Sequence, residues 1–205
     1  MPAPRAIIFD LGKVLVDFDY SIAGRRIAAQ SNMSFAAIRE YVSSTTLFTE
    51  YETGLVTTQQ FYDEVCRVTG FRGTLAQFGQ YFADIFVEIE PMVRLQAALR
   101  QRGLPTYILS NTNELAAEHI RRTFRFYANF DGYVLSYQQR VMKPDPRIYE
   151  AVERMASRRG AELLYLDDVN ENIQAAAARG WQVILHETVQ RTQDAFEKLG
   201  LLGSS

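Results

Sequence analysis

A short apolar segment that ends in a carboxylate constrains the fold of this chain more than any other feature. Residues 6–9 are Ala-Ile-Ile-Phe, and Asp10 follows directly. The run is too short for an amphipathic helix and too uniformly apolar for a one-sided strand, so it predicts a strand buried on both faces of a sheet. Open parallel sheets bind ligands at the carboxyl ends of their strands. Asp10 is therefore predicted to lie at such an end, where it needs a partner, because burying an unpaired carboxylate is costly.

The second half of the chain alternates between strand and helix patterns. Apolar runs predict strands at 105–109, 133–135, 163–166 and 181–185. Helical patterns lie between and after them, near 114–124, near 146–158, up to Arg179, and following Thr188. Strands that alternate with helices favour parallel, right-handed connections. The sequence thus predicts an α/β fold, a Rossmann-like doubly wound parallel sheet.

A long helical insertion separates the first strand from the rest of this pattern. The gap is several times longer than one crossover helix requires, and its periodicity is helical. Ser34, Thr57 and Thr74 are predicted N-caps, the last of them for a helix over 75–86. We therefore predict an all-helical domain at 17–90. The core domain is then built from 1–16 and 91–205.

Composition narrows the class of protein. Of 205 residues, 47% are hydrophobic and 22% are charged, which is typical of a globular chain. The formal net charge of −2 predicts no nucleic-acid partner. One cysteine, Cys66, excludes an internal disulfide and is predicted to be a buried apolar group. No apolar run is long enough to span a membrane, and the N-terminus leaves no room for a signal peptide, so a cytoplasmic protein is predicted. A monomer and a homodimer both remain open.

Three predicted strands end in polar residues. These are Asp10, the pair Ser110 and Asn111, and the pair Asp167 and Asp168. Because the carboxyl ends of parallel strands share one edge, the three carboxylates are predicted to converge there. Such like charges cannot all stay ionised without counter-charges.

Lysines alone do not supply enough positive charge for this cluster. Lys143 and Lys13 offset two of the three carboxylates at most. Oxygen ligands without a His or Cys cluster favour Mg²⁺ as the missing cation. A metal beside an aspartate at a strand end suits phosphoryl transfer, in which Asp10 attacks phosphorus.

Four segments of the chain resemble, in order and spacing, the motifs of the haloacid dehalogenase superfamily. They are FDLGKVL at 9–15, LSN at 109–111, MKP at 142–144 and LDDVNEN at 166–172. The insertion after the first motif resembles the helical C1 cap of that superfamily. In the first motif, Gly12 follows Asp-Leu as it does in the bacterial phosphatases of the superfamily that act on α-D-glucose 1-phosphate, so the chain resembles that subgroup. The phosphatase domain of soluble epoxide hydrolase is more distantly similar.

The resemblance implies a Mg²⁺-dependent phosphatase of small phosphorylated metabolites, sugar phosphates first, which works through an aspartyl-phosphate intermediate. Asp10 would be the nucleophile and a metal ligand, and the carbonyl of Gly12 a second ligand. Asp168 would ligate Mg²⁺, with Asp167 as a ligand directly or through water. Asn172 would orient the acid pair.

The resemblance also implies residues that bind the substrate. Ser110 and the backbone of Asn111 would hold phosphate oxygens, and Lys143 would balance the charge of the nucleophile and the phosphate. The turn at 52–54 resembles the cap turn that dips toward the site. Glu52 in that turn belongs either to the substrate site or to the cap surface, and the sequence leaves both open.

Two residues depart from the superfamily pattern. Most of its phosphatases carry a second Asp two residues after the nucleophile as general acid and base, and this chain has Gly12 there. Leaving-group protonation must then come from water, a cap residue or the substrate. Lys13 is also unusual. Its ammonium either binds phosphate or competes with the cation.

Two other functions remain open on the sequence. A 2-haloacid dehalogenase would use the same Asp10 nucleophile without a metal, but the pair Asp167 and Asp168 would repel its carboxylate substrate. A catalytically degenerate protein that binds a phosphometabolite is the third hypothesis. Gly12 and Lys13 favour it.

Overall fold

The computed structural model describes residues 2–202. The strands in chain order are β1 (Ala6–Phe9), β2 (Val16–Phe18), β3 (Phe86–Glu88), β4 (Thr106–Ser110), β5 (Gly132–Leu135), β6 (Leu163–Asp167) and β7 (Gln182–Leu185). The helices are α1 (Tyr20–Ala28), α2 (Phe35–Ser44), α3 (Leu47–Glu52), α4 (Thr58–Thr69), α5 (Leu75–Ala83), α6 (Glu90–Gln101), α7 (Glu114–Thr123), α8 (Ser136–Gln139), α9 (Pro146–Ala156), α10 (Asn170–Ala178) and α11 (Val189–Lys198). Two short 3-10 segments lie at Arg125–Asn129 and Gly160–Glu162.

A five-stranded parallel sheet forms the centre of the molecule, in the order β5-β4-β1-β6-β7. All four residues of β1 are buried, as the apolar run predicted. Phe9 at its end pairs with Ile108 of β4 on one side and with Leu166 of β6 on the other. The predicted α/β, doubly wound fold is confirmed. Asp10 consequently leaves the sheet between the ends of β4 and β6.

Helices cover both faces of the sheet, and the alternation of β1 explains why each face is apolar. Ile7 and Phe9 point into one cluster, which includes Met92 of α6. Ile8 points into the other cluster, which includes Tyr149 of α9. Burial on both faces fixes the strand's register, because a one-residue slip would exchange the two sets of side chains.

Helices α1 to α5 lie between β2 and β3 in the chain. These two strands form an antiparallel ribbon in which Val16 pairs with Glu88. The predicted N-caps Ser34, Thr57 and Thr74 are confirmed, since each side chain accepts a bond from a backbone N–H three residues on. The five helices enclose their own aromatic cluster, within which the rings of Tyr51 and Phe61 stack with centroids 4.4 Å apart.

One local prediction was wrong, and two short helices were missed. The helix predicted over 75–86 ends at Ala83, because Asp84 leaves helical geometry and Phe86 already pairs with β2. The short helices α3 and α8 were not predicted, since one or two turns contain too little periodicity to detect. Among residues 2–202, no helix is both long and apolar enough to cross a membrane.

Candidate active site

Asp10 lies at the carboxyl edge of the sheet, immediately after β1. Its backbone N–H donates to the carbonyl of Leu166 (2.8 Å), which continues the ladder between β1 and β6. One carboxylate oxygen, Oδ1, accepts from the backbone N–H of Leu11 (2.7 Å) and lies 2.9 Å from Nζ of Lys143. The residue is 7% exposed. Burial raises the pKa of Asp10 to about 7 against the opposing effect of Lys143, so the carboxylate needs more positive charge to ionise fully.

Lys143 is the cation at the centre of the site. Its Nζ lies 2.9 Å from Asp10 and 2.7 Å from Oδ2 of Asp167, and it also donates to the carbonyl of Leu109 (3.2 Å). Burial acts to lower the pKa of Lys143, but the two carboxylates outweigh burial and raise it. The ammonium therefore stays charged in a position that is 4% exposed.

The side chain of Asn111 fixes the backbone of Lys143. Its Nδ2 donates to the carbonyl of Lys143 (3.0 Å), and its Oδ1 accepts from the N–H of Lys143 (2.7 Å). Asn111 directly follows β4, so this pair of bonds ties the loop before α9 to the edge of the sheet. The side chain of Asn111 is thereby occupied, which leaves its backbone for the predicted phosphate contact.

Asp167 ends β6 and is fully buried. It accepts hydrogen bonds from Lys143, the phenol of Tyr165, the N–H of Val169 (2.7 Å) and Nδ2 of Asn172, which lies 3.1 Å from each oxygen. Burial acts to raise the pKa of Asp167, but the charge of Lys143 and these donors lower it overall. Because protein donors take most of the acceptor capacity of this carboxylate, fewer lone pairs are left for a metal than on Asp168.

Asp168 is half-buried, and in the described part of the chain no other side chain donates a hydrogen bond to it. Burial and the neighbouring charge of Asp167 raise its pKa. Asp10, Asp167 and Asp168 each offer a carboxylate oxygen within 4.8 Å of the others. Three carboxylates around one ammonium leave excess negative charge, so the set of hard oxygen donors fits a divalent cation such as Mg²⁺.

The segment after Asp10 has little room for a further side chain. A Cβ on Gly12 would lie 2.9 Å from Cε1 of Phe18. The ammonium of Lys13 binds the carboxylate of Asp17 and the carbonyl of Phe18 (2.7 Å). The sequence had suggested that Lys13 offsets the charge of the acid cluster. In the structure its ammonium pairs with the carboxylate of Asp17 instead.

Ser110 ends β4 beside Asp10 and is 2% exposed. Its hydroxyl donates to the carbonyl of Asn111 (3.3 Å), a long bond that a better acceptor can replace. The structure thus brings Ser110 and Asn111 to the same sheet edge as Lys143 and Asp10. Their roles toward a phosphate remain predictions.

Glu52 is the residue through which the helical insertion reaches the site. Its carbonyl accepts from the hydroxyl of Ser136 (2.6 Å), and that hydroxyl accepts from the N–H of Thr112 (2.8 Å) in the loop after β4. Burial raises the pKa of Glu52 to about 7, and the ammonium of Lys143 acts in the opposite direction. The carboxyl of Glu52 therefore interacts electrostatically with Lys143, the cation at the centre of the acid cluster.

Sequence reasoning missed one residue of the site. The phenol of Tyr165 donates to Asp167, and its ring is fully buried. Tyr165 lies two residues before Asp167 in the same strand, and such residues share one face of a sheet. That spacing was the available signal. His186, close to the end of the last strand of the sheet, is buried and bonded through Nδ1 to Thr192 (2.8 Å).

The helical insertion contains an apolar cavity of about 350 Å³ that is partly open to solvent. Its lining is drawn from α1 to α5 and includes Tyr20, Ile38, Phe48, Val65 and Phe82. Helix α3 carries Phe48 at the cavity and Glu52 at its other end, one turn away. The phenol of Tyr20 accepts from Nδ2 of Asn113 (3.5 Å), which also connects the cavity wall to the core.

Comparison with known proteins shows phosphatases among the relatives. D-ribitol-5-phosphate phosphatase from Bacteroides thetaiotaomicron is 26% identical over 194 residues, covering 89% of this chain and 92% of that protein. Sesquiterpene phosphatase astK from Aspergillus oryzae is 26% identical over 187 residues, with 90% of each covered. Acyl-CoA dehydrogenase family member 10 from mouse is 27% identical over 209 residues, covering 97% of this chain but only 19% of that protein.

Solved structures and a family model agree with these relatives. A haloacid dehalogenase family enzyme from Bacteroides thetaiotaomicron, in complex with magnesium and inorganic phosphate, superposes with a TM-score of 0.78 at 25% identity. The match covers 89% of this chain and 93% of that one. A model of the haloacid dehalogenase-like hydrolases matches residues 4–180. That span contains the whole acid cluster, and the chain belongs to the haloacid dehalogenase-like hydrolase family.

Proposed function

We propose that this protein is a Mg²⁺-dependent phosphatase that hydrolyses small phosphorylated metabolites. One observation carries the proposal: three carboxylates meet at the end of the central strands, and the buried ammonium of Lys143 pairs with two of them. That arrangement suits a dianionic phosphate only when a divalent cation is present. The relatives named as phosphatases, and the magnesium and phosphate complex of a structural neighbour, support the same chemistry.

Asp10 is the nucleophile in this proposal. Its free carboxylate oxygen attacks phosphorus, the bond between phosphorus and the ester oxygen breaks, and the alcohol leaves with a proton. Water then attacks the aspartyl-phosphate, which returns Asp10 and releases inorganic phosphate. Lys143 keeps positive charge beside both the nucleophile and the transferred group.

Asp10, Asp168, the carbonyl of Gly12 and Asp167 would hold the Mg²⁺, with Asp167 acting through water because its oxygens are occupied. When bound, the ion supplies neutralisation of the charge on the phosphoryl group. Asn172 keeps Asp167 in place through its two 3.1 Å contacts.

The phosphate lies, in this proposal, between Ser110 and Lys143 at the sheet edge. The Ser110 hydroxyl and the Asn111 backbone N–H donate to its oxygens. Residues 17–90 act as a cap domain that closes over the substrate and selects it, with Glu52 facing the substrate. We place sugar and sugar-alcohol phosphates first, because Glu52 offers a carboxylate that can accept from hydroxyl groups.

The cap cavity favours a second class of substrate. Its lining is almost entirely apolar, and α3 connects it to Glu52. A phosphate ester with an apolar chain of suitable length would place that chain among Phe48, Phe82 and their neighbours, which removes apolar surface from water. The relative named as a sesquiterpene phosphatase supports this class.

A phosphate-release assay tests the proposal. We expect release from ribitol 5-phosphate or from farnesyl phosphate in Mg²⁺, loss on chelation by EDTA, and loss in Asp10→Asn. The matched control Asp145→Asn neutralises a partly exposed carboxylate that caps α9 and pairs with Arg147, and it should keep activity. Halide release from 2-chloropropionate without metal would show a dehalogenase instead. Binding of these esters without turnover would show a degenerate binding protein.

The same assay separates the substrate classes. Phe48→Ala should weaken farnesyl phosphate turnover and leave ribitol 5-phosphate turnover little changed if the cavity holds an apolar chain. Equal effects on both esters would leave the sugar-phosphate class as the better assignment. Gel filtration of the same preparation distinguishes the monomer from the homodimer, both of which the sequence left open.

A further inference from the structure

We propose that the carboxyl group of Glu52 is the general acid and base of this enzyme and does the work for which related phosphatases use a second aspartate. The inference rests on the proposed phosphatase function. In the first step Glu52 gives its proton to the ester oxygen as the bond to phosphorus breaks. In the second step its carboxylate takes a proton from the water that attacks phosphorus, which restores the acid and frees Asp10.

The position two residues after the nucleophile cannot supply this proton. Gly12 has no side chain, and the ring of Phe18 occupies the place where one would begin, 2.9 Å from an ideal Cβ. The neighbouring Lys13 turns its ammonium to Asp17 and to the carbonyl of Phe18. The reaction therefore needs an acid from another part of the chain, or it proceeds without one.

Glu52 is held against the loop that carries the predicted phosphate contacts. Its carbonyl accepts from the hydroxyl of Ser136 (2.6 Å), and the same hydroxyl accepts from the N–H of Thr112 (2.8 Å). Gly54, with φ of +66°, packs so tightly that a Cβ there would lie 2.1 Å from the carbonyl oxygen of Tyr137. The backbone of the turn is therefore held against the first two residues of α8, Ser136 and Tyr137.

The carboxyl of Glu52 is half-buried, belongs to the cap and interacts electrostatically with the central cation Lys143. Lys143 on the core side and the phenol of Tyr20 on the cap side are the titratable groups that interact with it. Within residues 2–202 no hydrogen bond to its oxygens is found. A half-buried carboxyl without a partner is costly to keep unless it serves a substrate.

Two other acids and one histidine of this region are already engaged. Asp19 caps α1 by accepting from Ser21, and Glu114 accepts from the hydroxyl of Thr58. The ring of His186 bonds through Nδ1 to Thr192 (2.8 Å). Glu52 also has a suitable proton affinity, because burial raises its pKa to about 7 and leaves a substantial fraction protonated at neutral pH.

The test compares two phosphate esters in Glu52→Gln. Ribitol 5-phosphate has a poor leaving group and needs the acid, so its kcat should fall by about 10²- to 10⁴-fold. The aryl ester 4-nitrophenyl phosphate has a good leaving group and does not need it. Its first turnover should stay close to the wild-type rate, and a burst of one nitrophenolate per enzyme should precede slow turnover, because the second step still lacks its base.

A pH profile and two variants complete the experiment. The wild-type rate on ribitol 5-phosphate should fall as pH rises through the pKa of Glu52, and Glu52→Gln should remove that limb. Glu52→Asp should restore part of the rate. The control Glu50→Gln changes a glutamate of the same helix that accepts from Thr46 (2.8 Å), and it should leave both substrates unaffected.

The outcomes of these assays distinguish failure of the phosphatase proposal from failure of the role proposed for Glu52. A wild-type enzyme that releases phosphate from neither ester overturns the phosphatase proposal and this inference with it. A wild-type enzyme that is active, with Glu52→Gln unchanged or slowed equally on the first turnover of both esters, overturns only the role of Glu52. Thermal unfolding of Glu52→Gln close to that of the wild type ensures that a loss of rate is not a loss of fold.

Discussion

The side chain of Asn111 makes two hydrogen bonds to the backbone of Lys143, one to its carbonyl (3.0 Å) and one from its N–H (2.7 Å). Asn111, which follows β4, thus fixes the backbone position of Lys143, whose ammonium balances the buried carboxylates of Asp10 and Asp167. Because both partners of Lys143 are buried, a small displacement of its backbone changes two short ionic contacts together.

Asn111→Leu should therefore reduce activity by altering the position of Lys143. Two lost hydrogen bonds are expected to lower the free energy of unfolding by about 1–3 kcal/mol. We expect kcat for phosphate release to fall about 10- to 100-fold, since a misplacement of this kind is costly for catalysis. Asn129→Leu is the control, because that side chain is exposed. Wild-type kcat in Asn111→Leu would contradict the positioning role.

Lys143→Met should destabilise the metal-free protein because it leaves Asp10 and Asp167 buried without a counter-charge. Removing one partner of a buried ion pair costs about 3–5 kcal/mol. Adding Asp10→Asn should recover part of that loss, and the double-mutant cycle gives the coupling. Urea unfolding in EDTA is the measurement.

The matched control for this cycle is Arg147→Met in the same region of the chain. Its guanidinium pairs with Asp145 at 2.8 Å but is largely exposed, so its loss should cost less than about 1 kcal/mol. Equal effects of Lys143→Met and Arg147→Met would show that the buried ammonium contributes nothing specific to stability.

Alanine substitutions at two glycines with positive φ distinguish the destabilisation caused by backbone strain from that caused by steric contact. Gly103 (φ of +81°) has no atom within 4 Å of an added Cβ, so Gly103→Ala should cost only about 1–2 kcal/mol of strain. Gly54 (φ of +66°) would place the Cβ 2.1 Å from the carbonyl oxygen of Tyr137. Gly54→Ala should therefore lower the melting temperature further and also reduce activity, because the turn that carries Glu52 must move. A melting temperature no lower in Gly54→Ala than in Gly103→Ala would refute this packing.

The pH dependence of stability has a clear sign at Glu153. Hydrogen bonds from Arg179 (3.0 and 2.7 Å) lower its pKa below the usual 4.5 against the effect of burial, and Trp181 donates to it as well (2.9 Å). Since the folded-state pKa is depressed, the carboxylate stabilises the fold above the unfolded-state pKa. That contribution is lost as pH falls through the folded-state pKa.

Glu153→Gln should thus reduce the free energy of unfolding by about 1–3 kcal/mol at pH 7 and by progressively less below the usual pKa of 4.5. Glu171→Gln, at an exposed position, serves as the control and should change the free energy of unfolding at pH 7 by less than Glu153→Gln does. Chemical denaturation at a series of pH values measures both variants. A loss in Glu153→Gln that is the same at every pH would point to packing instead of charge.

Local signals account for what the sequence predicted well. The buried strand before Asp10 and the caps Ser34, Thr57 and Thr74 each depend on a few adjacent residues. The convergence of Asp10 with Asp167 and Asp168 followed from one rule about parallel strands. The resemblance of four ordered motifs to those of a known family provided the expected roles of the site residues.

The features that the sequence did not predict depend on contacts between distant residues. Strand β2 exists because it pairs with β3 some seventy positions later, and neither three-residue strand has a pattern of its own. The environment of Glu52 arises from Ser136 and Thr112, which are close only in the folded chain. Lys13 was expected at the acids, but Asp17 four residues on offers it a nearer partner.

The ribbon of β2 and β3 has a consequence for how such chains can diversify. Its two strands bring the start and the end of the helical insertion side by side, about 4.8 Å apart. A segment of any length that begins and ends at that spacing can be exchanged here without shifting the register of the central sheet. The helical insertion between β2 and β3 can thus be replaced by another, which changes the substrate specificity of the protein while the residues at the sheet edge stay the same.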